Sequence, residues 1–252
     1  MRLFWVQWRK EWLELWQTRK AIIVLAVMLA FGFLAPITAK LLPELMKSAG
    51  NTGNITITIG EVTVNDAIDQ FVKNTSQTIV ILALLMSFNV IVSERERGLM
   101  TLIFPHALPR STFVLAKFAA LVSLFAVGML LQAIAAYVYT ALLFEAPTIG
   151  GFIVMTALLF LYLALIVALS LLASTIGKTT IMAVAIAFGF FVLLALVGVF
   201  IGFDPGELVA WGHAQAIHTE YPAQWGALAT TLITIILAVA ISCLALNRQE
   251  IE

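Results

Sequence analysis

The sequence predicts an all-α integral membrane protein. Six transmembrane helices are expected, with an N-terminal interfacial helix and a short cytoplasmic amphipathic helix between the second and third spans. Three observations predict it. The 252 residues are 62% hydrophobic and only 11% charged, against about 25% charged in a soluble domain, so lipid has to solvate most of the apolar surface. Apolar runs of spanning length recur between polar breaks. Lysine and arginine are distributed unevenly over those breaks, as the positive-inside rule requires. The formal net charge is zero, so bulk charge does not point to nucleic acid as a partner. Cys243 is the single cysteine; it cannot form an intrachain disulfide and reads as a buried packing thiol.

Residues 1–20 read as an amphipathic helix. At ~100° per residue, Phe4, Trp5, Trp8, Trp12, Leu15 and Trp16 share an arc of roughly 120°. Arg2, Lys10, Glu14 and Gln17 lie away from it. Tryptophan prefers the headgroup region, since its ring is apolar and its N–H needs a partner. The helix is therefore expected to lie in the membrane interface, anchored by Trp5, Trp8, Trp12 and Trp16. The twenty residues ahead of the first apolar run make that run a retained anchor rather than a cleaved signal.

The first span is 21–39, charge-free, with Pro36 expected to kink or fray its far end. Residues 40–76 form an outer loop. Within it, Ile55, Ile57 and Ile59 alternate with threonines and predict a small hairpin. Asn65 is the expected cap of a helix leading into the second span, 77–92. A charged segment, 93–117, follows: Glu94, Arg95, Glu96, Arg97 and Gly98, then an apolar run interrupted by Pro105 and Pro109. The third span is 118–144, the fourth 152–175, the fifth 179–203. Residues 204–224 form a polar outer segment, and the sixth span is 225–246.

Six spans put both termini on one side. That side holds eleven of the fourteen basic residues, including Arg95, Arg97, Arg110 and Lys117; only Lys40, Lys47 and Lys73 fall on the other. The termini and the 93–117 segment are therefore expected in the cytoplasm.

Few residues suggest chemistry. Leu172–Thr179 ends in Gly-Lys-Thr, but Leu172 stands where a phosphate-binding loop needs glycine, and an apolar helix rather than a strand precedes it. The run reads as a helix end, without an ATP site. His213, His218 and Glu220 lack a metal-ligand spacing, and a solvated loop is the better reading. The spans carry no Asp, Glu, Lys, Arg or His away from their ends, which argues against an ion-coupled transporter or an intramembrane hydrolase. Asn89, Gln132, Tyr137 and Tyr139 are the candidate path-lining residues, with helix packing as the simpler assignment. A protein of this kind needs an outside motor. A short amphipathic helix after the second span can dock in a partner's groove, with Leu99, Leu102 and Ile103 packing and Glu94, Glu96, Arg97 and Arg110 setting register.

These residues resemble the ABC type-2 membrane family, the permease half of ATP-driven exporters. Glu94, Glu96 and Gly98 match the family's Glu-x-Glu-x-Gly pattern, and Arg110 and Lys117 keep its seven-residue separation. Arg9-Lys10-Glu11 followed by Arg19-Lys20 is similar to the family's elbow helix. Leu99, Thr101, Ala107 and Ala116 depart from the pattern. The resemblance implies a permease without its own cofactor, working as a dimer (with a copy or a paralogue) on two cytoplasmic ATPase subunits in the inner membrane. It also implies that residues 93–117 hold a coupling helix, that residues 204–224 form short re-entrant helices, and that Glu94, Glu96, Gly98, Leu99, Leu102, Ile103 and Arg110 meet the ATPase. A secondary transporter or channel, and a non-transporting scaffold, are the alternatives.

Overall fold

Membrane-length helices arise here because an apolar run in lipid must satisfy its backbone internally. The computed structural model describes residues 2–50, 62–98, 109–201 and 204–248. Every regular element among them is helical: α1 (Arg2–Gln17), α2 (Lys20–Gly50), α3 (Val64–Lys73), a π-helical turn (Asn74–Ile79), α4 (Val80–Ser87), α5 (Val92–Glu96), α6 (Arg110–Leu143), α7 (Ile149–Ile176), α8 (Thr180–Ile201), α9 (Gly206–Ala216) and α10 (Trp225–Arg248). Five segments are long and apolar enough to cross a membrane: 20–41, 64–96, 110–143, 149–176 and 225–248. The described apolar stretch of α8 is shorter. The hairpin expected at 55–64 lies largely outside the described residues.

Several boundaries differ from the expectation. α2 continues past Pro36 and Pro43 to Gly50. A lost backbone hydrogen bond is tolerated there, because unwinding in lipid would expose many more polar groups. Ala35 and Ala39 of the same turns are buried. Thr63, not Asn65, caps α3: the Asp66 carboxylate accepts from the Thr63 N–H at 2.7 Å and from its hydroxyl at 3.0 Å. The second span is a continuous helical run from Val64, with its π turn where Thr75 and Ser76 return their hydroxyls to Phe71 O and Val72 O. α6 begins at Arg110, eight residues earlier than expected, so Lys117 stands inside a helix. The polar outer segment folds as α9.

α7 is the central helix, fully buried from Leu163 to Ala168 apart from small openings and again from Ser170 to Thr175. α4, α6, α8, α9 and α10 pack around it, and α2 packs along α6. Small residues permit that last approach. A Cβ on Gly32 would lie 2.6 Å from the Gln132 carbonyl oxygen, so the two backbones nearly touch. At the opposite end from residues 93–98, α9 is held by His213 against Asp69 of α3, and His218 Nε2 lies 2.7 Å from Thr148 Oγ1.

Candidate docking site

The charged segment after the second span is fixed by the helices around it. Asn89 and Ile91 carbonyls begin the short turn α5, accepting from Ser93 and Arg95. The Ser174 hydroxyl of α7 accepts from the Ile91 and Val92 N–H groups at 2.9 and 3.1 Å. Two residues beyond α5 stands Gly98, whose φ of +68° favours glycine; its N–H donates to Arg95 O at 2.9 Å.

Glu94 points inward. Its residue is 4% exposed, and Oε1 accepts from Lys117 Nζ at 2.7 Å. The same ammonium donates to Glu11 Oε2 of α1 at 2.8 Å. Gln7 donates to Glu11 Oε1 at 2.7 Å. Lys10, on the rim, lies 3.4 Å from Glu11 and Glu14 and 3.7 Å from Glu94. Burial alone would lower the Lys10 pKa; the carboxylates of Glu11, Glu94 and Glu14 outweigh it and hold it above the usual lysine value. Three carboxylates thus meet two ammonium groups in an ion-pair network. Lys117 also rests 4.9 Å from the centre of the Phe113 ring. Desolvating Glu11, Glu94 and Lys117 is costly, and each is buried with a charged partner in place.

The remaining expected contacts divide. Glu96 is exposed, yet both its oxygens are engaged by Thr180, at 2.7 Å from N and 2.7 Å from Oγ1. Arg110 donates to the Leu246 and Asn247 carbonyls at the end of α10, which suits a cation at a helix C-terminus. Glu94 and Arg110 therefore spend charge inside the chain, where the sequence reading gave them to a partner. Leu99, Leu102 and Ile103 lie outside the described residues.

α1 is rotated from its expected pose. Trp5 and Trp16 are 61% and 45% exposed. Trp12 instead packs on the core and donates from Nε1 to Ser123 Oγ of α6 at 2.8 Å. Trp8 bridges Trp5 and Trp12 through edge-to-face contacts. The protein-facing side is centred closer to Gln7 and Glu11, both buried.

The candidate path residues are not gathered together. Gln132 is buried and donates to Thr75 Oγ1 at 2.9 Å. Tyr139 packs on Phe33 of α2, and Tyr137 on Phe152 of α7. Tyr137 also lines an apolar cavity of about 530 Å³ between α6 and α7. Asn89 is half-buried near α5, with Oδ1 buried and unpartnered. His213 and His218 have separate partners, and Glu220 is exposed.

Glu11, Lys117, Ser174 and Thr180 were not among the expected site residues. The sequence carried one signal: Gln7 and Glu11 recur at i and i+4 beside the apolar stripe of α1, which marks a polar buried seam.

Comparison with known proteins agrees with the architecture. A family model described as "ABC-2 family transporter protein" matches residues 5–219. An uncharacterized transmembrane protein of Bacillus subtilis (strain 168), YxlG, is 27% identical over 190 residues, covering 72% of this chain and 70% of the relative.

Proposed function

Because this chain belongs to the ABC-2 family of transporter proteins, a family of membrane permeases, we propose that it is the membrane-spanning subunit of an ATP-driven exporter. It works with separate cytoplasmic ATPase subunits, two per complex, and pairs with a second permease. α1 is its elbow helix, α8 its fifth span of six, and residues 93–117 hold its coupling helix. Both termini lie on the cytoplasmic face of the inner membrane, on the strength of the eleven-to-three split of basic residues. The docking contacts are assigned to Gly98, Leu99, Leu102 and Ile103, with Glu94 and Arg110 as positioning residues behind them. Candidate path-lining roles stay with Asn89, Gln132, Tyr137 and Tyr139.

The observation that carries this reading is the anchoring of the Glu94–Gly98 segment. A segment bonded to α6 through Glu94 and Lys117, whose ammonium also holds Glu11 of α1, and to the start of α8 through Glu96, delivers any pull on the residues that follow it into the spans. Affinity purification in mild detergent, followed by an ATP-hydrolysis assay on the eluate, tests it. A stoichiometric ATPase subunit is expected. A channel or scaffold would elute without one.

A further inference from the structure

We propose that Arg95 and Glu96 make the α7–α8 turn a second force-bearing element, so that movement of the Glu94–Gly98 segment is carried into α8. The proposal rests on the exporter reading and extends it to a part of the chain 80 residues downstream.

The grip is two-sided. Arg95 donates from Nη1 to Gly177 O at 2.7 Å and from Nη2 to Thr175 O at 3.0 Å. These carbonyls close α7. Glu96 accepts the N–H and the hydroxyl of Thr180, the first residue of α8. Ser174, one turn back in α7, accepts from Ile91 and Val92. One short segment thereby holds the end of one helix and the start of the next.

α8 does not need Glu96 in order to begin. Thr179 Oγ1 already accepts from the Met182 N–H at 3.3 Å, an ordinary helix cap. The Glu96 contact is therefore additional to capping, and what it adds is a link between distant segments. The turn itself is stiff. It has three residues between the helices, and a Cβ on Gly177 would fall 2.8 Å from Ala183 Cα, so the chain folds back on itself without slack. Beyond its start, α8 packs on α7, while Ile181, Phe188 and Leu193 on its other side are 82%, 61% and 57% exposed. A helix held along one side and gripped at one end is the element best placed to swing.

The test uses the complex as it purifies, with a nitroxide on Leu196→Cys near the far end of α8, in a Cys243→Ser background. Leu196 is exposed. Spectra are taken in nanodiscs with and without ATP. Thr180→Pro removes both donors to Glu96 at a position where proline suits a helix; Thr180→Ser keeps both. An ATP-dependent spectral change in wild type and Thr180→Ser, lost in Thr180→Pro while ATP hydrolysis persists, is the expected result. Persistence of the change in Thr180→Pro and in the Thr180→Pro, Arg95→Ala double variant, which also releases the Gly177 and Thr175 carbonyls, overturns the relay, as does its absence from a wild-type complex that contains an ATPase. If Thr180→Pro fails to purify, Glu96→Ala, which removes both acceptors, decides: a reduced change supports the relay and an unaltered one overturns it. A wild-type chain that brings down no ATPase removes the exporter reading, and the relay falls with it.

Discussion

Lys117 Nζ lies 2.7 Å from Glu94 Oε1, and the two side chains are 1% and 5% exposed. This pair joins the start of the third span to the end of the second, and Glu11 brings in α1 at 2.8 Å. Removing one member of a buried pair strands the other, at about 3–5 kcal/mol. Lys117→Met takes the nearest cation from two buried carboxylates and leaves them only the more distant Lys10, whereas Glu94→Gln leaves Lys117 with Glu11. Thermal unfolding in detergent should show Lys117→Met as the more damaging change.

The α1 dock has a second, weaker tie in Trp12 and Ser123. Trp12→Phe and Ser123→Ala should each cost about 0.5–1.5 kcal/mol. Because both remove the same hydrogen bond, the double variant should cost less than the sum. A double-mutant cycle on the detergent-solubilised protein measures this.

Ser174 and Ser242 are both fully buried serines in spans, but their hydroxyls do different work. The Ser242 hydroxyl donates back to Ala238 O within its own helix. Ser174 receives two N–H groups from another segment. Ser174→Ala leaves both donors without that acceptor and should cost about 1–3 kcal/mol. Ser242→Ala should be near silent in the same unfolding assay.

Two glycines should respond oppositely to alanine. At Gly32 the added Cβ meets the Gln132 carbonyl oxygen at 2.6 Å and Ala135 Cβ at 3.0 Å. Backbone cannot yield cheaply, so Gly32→Ala should destabilise by about 1–3 kcal/mol. At Gly189 nothing lies within 4 Å, and Gly189→Ala should stabilise α8 by about 0.5–1 kcal/mol. Melting temperatures of the two variants should move apart from wild type in opposite directions.

The apolar runs were legible because crossing a membrane fixes a length of about 20 residues regardless of what packs around them. The charged network was not. Lys117 read as the edge of a span because an unpaired lysine inside one is costly; its partners Glu94 and Glu11 are 23 and 106 residues away, and no local pattern pairs them. α1 misled in the same way. Its tryptophan stripe was assigned to lipid, yet Gln7, Glu11 and Trp12 turn toward α6, because a matching lysine and serine wait there. Pro36 signalled a break that packing against α6 and the cost of bare backbone in lipid override.

In the proposed exporter, residues 98–104 recruit the ATPase. Glu94 and Arg110 are unsuited to testing it, since one is a buried ion-pair partner and the other caps α10. The most direct measurement is ATP hydrolysis by affinity-purified wild type beside a variant carrying Leu99→Ser, Leu102→Ser and Ile103→Ser, with equal melting temperatures verified first. The account predicts an ATPase subunit and its activity with wild type, and loss of both from the equally stable variant. An ATPase retained by the variant would contradict the assigned contact, and none with either protein would contradict the exporter reading itself.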